Sequence, residues 1–160
     1  MAPLWIVCED GDEYRARLAR FLGTEFAFVR AGCAAELVQQ ARRGAAGAIV
    51  DLDFRRTPAA LLVDENGAAP ARSLSESERQ RLARDQGIFA IRALRAAGLE
   101  LPAILYADLD DAEQRAALTA ELAPLLVVGS HDGLPQLAAR MRALASRSGS
   151  GSSHQPLPSR

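Results

Sequence analysis

Five short apolar runs recur along this chain, and each is followed by a stretch whose apolar residues are spaced for a helix. The runs are "LWIVC" (Leu4–Cys8), "FAFVRAG" (Phe26–Gly32), "AAGAIVDLDF" (Ala45–Phe54), "LPAILYAD" (Leu101–Asp108) and "PLLVVGS" (Pro124–Ser130). Predominantly apolar runs of this length, rich in Val, Ile and Leu, are the mark of strands covered on both faces. The stretches between them carry helical signals. Tyr14, Leu18, Phe21 and Leu22 lie on one helical face, Gly23 and Gly44 stand where helices stop, and Pro135 stands near the first turn of the last helix. Strand–helix alternation of this kind specifies an α/β domain with a parallel sheet between two helical layers. With 160 residues, 49% of them hydrophobic, the chain suffices for one such domain and not for two.

In open α/β sheets, ligands bind beyond the carboxyl ends of the strands. Acids collect there: Glu9 and Asp10 end the first strand, Asp51 and Asp53 the third, and Asp108 the fourth, with Ser130 after the fifth. If the first and third strands are neighbours, carboxylates from distant parts of the chain converge on one edge. Asp10 and Asp12 are also placed to cap the first helix. Nineteen basic residues face twenty acidic ones, so no long-range field favours nucleic acid or an anionic membrane. Every basic side chain is Arg; the chain contains no Lys. Cys8, Cys33, His131 and His154 show neither disulfide nor zinc spacing. No run approaches the roughly 20 apolar residues that span a bilayer, and a cytoplasmic protein is expected.

The alternation breaks at residues 55–84. "RRTPAALLVDENGAAPARSL" holds Pro58, Pro70 and an Asn66-Gly67 turn, which predict an extra hairpin, docked rather than floppy. Ser75 and Glu78 form a capping box, so a helix starts there and runs to Gly98 with a break near Gly87. The domain is expected to cover residues 1–147. The Ser/Gly/Pro-rich segment 148–160 is expected to be a disordered tail.

Three stretches resemble response-regulator receiver (CheY-like) domains. "WIVCEDGDEYRARLARFLG" resembles the opening strand, acid pair and helix; "AGCAAELVQQARRGAAGAIVDLDF" resembles the second helix and acceptor strand; "GIFAIRALRAAGLELPAILYADLDDAEQRAALTAELAPLLVVGSHDGLPQLAARMRAL" resembles the remainder. The resemblance implies a flavodoxin-like doubly wound (βα)5 fold with sheet order 2-1-3-4-5. It implies that Glu9 and Asp10 help hold a weakly bound Mg²⁺, that Asp51 is the phospho-acceptor, and that the backbone carbonyl of Asp53 completes the metal site. It also implies a non-enzymatic signalling protein in a bacterial two-component system. Its expected partner is another signalling protein, or a second copy, met through the fourth and fifth helices of the (βα)5 frame, the segment 55–84, or both.

Departures from the family are equally specific. Ala107 stands where the family has Thr or Ser, Ser130 stands where it has Lys, and Val127 stands at the aromatic switch position. These changes imply a pseudo-receiver, independent of phosphorylation; a working receiver that uses Asp51 with Mg²⁺ is the first alternative. The second is a Toprim-like Mg²⁺-dependent nuclease, since Glu9 with Asp51-x-Asp53 also resembles that acidic set.

Overall fold

A computed structural model describes residues 1–148. Five parallel strands form one sheet: β1 (Leu4–Cys8), β2 (Ala27–Ala31), β3 (Gly47–Asp51), β4 (Ala103–Tyr106) and β5 (Leu125–Val128), in the order β2-β1-β3-β4-β5. The helices are α1 (Glu13–Leu22), α2 (Ala34–Arg42), α3 (Glu76–Arg84), α4 (Gln86–Ala96), α5 (Ala112–Glu121) and α6 (Gly133–Ser148). The flavodoxin-like α/β fold expected from the sequence is therefore present, with one helix more than its five βα units require.

Strand alternation divides the core into two layers. Trp5, Val7, Ile49, Ile104 and Tyr106 point to the face covered by Leu18 of α1 and by Leu137 and Met141 of α6. Ile6, Cys8, Ala48, Val50, Ala103 and Leu105 point to the other face, under α2, α4 and α5. Register places Val50 beside Cys8 and Asp51 beside Tyr106, so the carboxyl ends of the three central strands lie level.

Segment 55–84 belongs to the second layer. Phe54 and Leu62 are buried with Leu82 and Ala83 of α3 against Ile88, Ile91 and Leu94 of α4. Gln86 is buried and sews the segment down: its Oε1 accepts from the Val63 amide at 2.8 Å, and its Nε2 donates to the carbonyls of Val63 at 3.0 Å and Leu82 at 3.2 Å. The capping box of Ser75 and Glu78 starts α3 as expected.

One expectation changes and two positions are refined. The hairpin reduces to a turn: Asp64 Oδ1 accepts from the amides of Asn66 and Ala68, and the segment's regular structure is a 3-10 turn at Ala59–Leu61 and α3, without a strand. Pro58 and Pro70, each lacking an amide to donate, disfavour a ladder here. The helical break falls at Asp85, before Gly87. The last helix continues through Ser148, past the expected boundary, and 149–160 of the expected tail lie outside the described residues.

Candidate functional site

The carboxyl edge of β1 and β3 gathers the acids, but each is held differently. Glu9 is buried, and its two oxygens accept the α1 amides of Tyr14 at 3.0 Å and Arg15 at 2.9 Å. It is the acceptor for the orphan donors at the start of α1, where a negative charge is also favoured by the helix dipole. Asp10 and Asp12, the expected caps, do other work: Asp12 binds the Arg15 guanidinium, and Asp10 binds Arg56.

Arg56 comes from the turn after β3. Its backbone amide donates to Asp10 Oδ2 at 2.9 Å and its Nη2 donates to Asp10 Oδ1 at 3.1 Å, so both Asp10 oxygens are engaged. The same guanidinium forks onto Glu13 at 2.7 and 3.0 Å. That contact holds the Glu13 carboxyl down to about 2. Asp53 is paired with its neighbour, Arg55 Nε lying 2.6 Å from Oδ2.

Asp51 differs. Among the described residues its side chain accepts one hydrogen bond, from the Leu52 amide at 2.9 Å. Burial raises its pKa from the ordinary 3.8 to about 6; the Leu52 amide opposes this, while the charges of Asp10, Glu9 and Asp53 add to it. It borders a narrow apolar cleft between α1 and α6 with Tyr14, Leu134, Leu137 and Tyr106. The rings of Tyr14 and Tyr106 meet edge to face at 5.4 Å. Because the native state holds its proton more tightly than the unfolded chain does, Asp51 contributes most below pH 3.8, and that contribution is lost as pH rises through about 6. Asp51→Asn should therefore be more stable than wild type by about 1–2 kcal/mol near pH 8, allowing for its partial exposure, with the gap closing toward pH 4. Urea melts of both proteins at the two pH values check this; a gap that does not change with pH counts against the assignment.

Across the edge, Ala107 is buried and offers no hydroxyl. Ser130 is turned onto Asp108: its amide donates to Oδ1 at 2.7 Å, its hydroxyl donates to Oδ2, and His131 Nε2 stands 3.2 Å from Oδ1. These bonds hold the Asp108 carboxyl below its usual range, the Ser130 hydroxyl contributing most. Val127, at the position expected from the resemblance to be the switch, is half-buried on β5.

No protein-family profile matches the chain, and no curated protein sequence matches it. Solved structures do. The receiver domain of the Francisella response regulator 1452 superposes with a TM-score of 0.62 at 14% identity, covering 91% of this chain and 98% of that one. A two-component response regulator from Clostridium difficile gives 0.62 at 11% identity, covering 92% and 99%. One of the LuxR family from Aurantimonas sp. gives 0.62 at 14%, covering 92% and 87%. The chain has the receiver fold.

In that fold, the expected metal ligands do not fit a divalent ion well. The carboxylates of Glu9 and Asp10 are engaged by α1 and by Arg56, and among the described residues no three His, Cys, Asp or Glu side chains are grouped as a metal site. Among the described residues, no helix is long and apolar enough to cross a membrane.

Two features of the site escaped the sequence reading. Arg56 was available as a signal, since a cluster of acids in a chain without Lys needs an Arg nearby. The sequence pattern makes Gly87 a helix breaker. Its role is close approach: its amide donates to the Leu52 carbonyl at 2.9 Å, and a Cβ there would lie 1.9 Å from the Asp51 carbonyl oxygen.

Proposed function

We propose that this chain is a pseudo-receiver: a receiver-fold signalling protein that acts by contact with another protein and does not depend on phosphorylation of Asp51. The observation that carries this reading is the pairing of Ser130 with Asp108. At the place where a receiver is expected to hold a lysine, the side chain is a hydroxyl committed to a neighbouring carboxylate, and Ala107 offers nothing in its stead. A phosphoryl group arriving at Asp51 would meet neither fixed cation nor hydroxyl there, and loss of such preorganised contacts costs several kcal/mol of transition-state stabilisation. It would also have no donor at these positions through which to pull β4 and β5 into a second state.

The partner surface on this reading is the face of α5 and α6, with the docked segment 55–84 as a second contact region or part of the same one; a second copy of the chain is the alternative occupant. A cytoplasmic setting and a two-component pathway belong to the same proposal. Incubation with acetyl phosphate and Mg²⁺, followed by intact mass, tests it. Wild type and Asp51→Asn should both remain unmodified, with matching amide spectra away from residue 51. A phosphoryl adduct on wild type that Asp51→Asn lacks, with shifts spreading into β4 and β5, would replace the pseudo-receiver by a working one.

A further inference from the structure

We propose that Arg56 is the built-in counter-ion of Asp10, a carboxylate with which a receiver is expected to hold a divalent metal. This concerns the pocket's cation and is separate from the reading of Ala107 and Ser130.

Four observations converge on it. Asp10 belongs to the acid pair expected to hold the metal, yet both its oxygens are taken by residue 56, one by the main-chain amide and one by the guanidinium. The Asp10 side chain is only 8% exposed while that of Arg56 is 59% exposed, so the arginine reaches from the surface onto a carboxylate that solvent scarcely touches. In the surface pairs of Arg55 with Asp53 and Arg72 with Glu78 the carboxylate keeps 34% and 28% exposure. The turn carrying Arg56 is also fixed at both ends: Phe54 is fully buried and its amide donates to Ala83, and Thr57 is buried with its amide on the Phe54 carbonyl at 3.1 Å. The guanidinium is therefore delivered by a rigid support rather than by a loose loop.

The fourth observation is the floor beneath it. Gly11 lies under the guanidinium, and a Cβ at that position would come within 2.4 Å of Arg56 Nη2 and 2.0 Å of Glu13 Oε2. The absence of a side chain at Gly11 leaves the space that the fork fills. Glu9, the other member of the acid pair, is directed at the α1 amides instead of outward. A planar guanidinium suits this arrangement, because it satisfies two carboxylates through parallel donors and cannot be titrated away.

The inference makes metal binding conditional on residue 56. An adjacent cation biases a carboxylate's affinity for a competing positive charge by one to three powers of ten. In Arg56→Gln, paramagnetic broadening by Mn²⁺ of the amides of residues 10, 51 and 53 should set in at a concentration at least about tenfold lower than in wild type. Mg²⁺ should compete that broadening away and should raise the melting temperature of the variant alone. Arg56→Lys keeps the charge but not the fork and should fall between wild type and Arg56→Gln. If Arg56→Gln does not fold, Gly11→Ala displaces the guanidinium without removing it and should show the same gain. Broadening of wild type at the same Mn²⁺ concentration as the variant would overturn the inference, as would a folded variant that gains no metal response. Neither arm uses a phosphodonor, so this result is independent of whether Asp51 accepts a phosphoryl group.

Discussion

Phe54→Ala should lower the unfolding free energy by about 3–5 kcal/mol, the range for deleting a fully buried aromatic ring from a packed core. Phe54 has no exposed surface, and its ring sits in the layer shared by Leu62, Leu82, Ala83 and α4. It follows Asp53 directly, so it is also the point at which the chain leaves the pocket and enters segment 55–84. Its amide bond to Ala83 at 2.8 Å would lose its anchor, and the turn that presents Arg56 would loosen with it. Urea unfolding with an unchanged slope checks the magnitude. A loss under about 1 kcal/mol would mean that the segment only rests on the domain.

Gly87→Ala is the second large effect, and here two physical terms oppose each other. In an exposed helix the change is favourable, by about 1 kcal/mol of propensity. At this site the new methyl would stand 1.9 Å from the Asp51 carbonyl oxygen and 2.9 Å from Leu52 Cα, both backbone atoms of the strand end that carries Asp51. Neither can swing aside as the end of a flexible side chain can. We expect a net loss of about 3 kcal/mol, the upper part of the range for overpacking, together with shifts of the amides of residues 51 and 52. A stabilised variant would show that α4 stands farther from β3 than the structure places it.

The fold was legible because its signals are redundant. Each strand is marked by a short apolar run, α1, α2 and α4 are each closed by a nearby glycine, and the sheet order follows from resemblance to a family with one topology. The candidate site was legible only as a set of acids. Their positions at strand ends follow from the chain, but the direction in which a carboxylate turns depends on which donors come near it. Glu9 lies five residues from an amide that it accepts, and Asp10 lies forty-six from Arg56, so no local pattern separates their roles. Gly87 was ambiguous for a related reason: a glycine in a helix marks a break or a close approach with equal economy, and only the neighbouring strand decides.

The docking of segment 55–84 bears on how the domain could be shortened. On the resemblance to receivers, the segment reads as extra length that could be cut out to leave a minimal domain. Yet α3 and the preceding turn furnish Leu62, Leu82 and Ala83 to the same apolar layer as Ile88, Ile91 and Leu94. Gly67 lies against the backbone of α4 closely enough that a Cβ there would fall 2.3 Å from the Ala93 nitrogen. A chain rejoined across the excision would leave an oily wall of α4 facing water and strip the pocket of its arginine in the same stroke. In architectural terms the segment is a bearing wall, and the domain's smallest self-standing unit includes it.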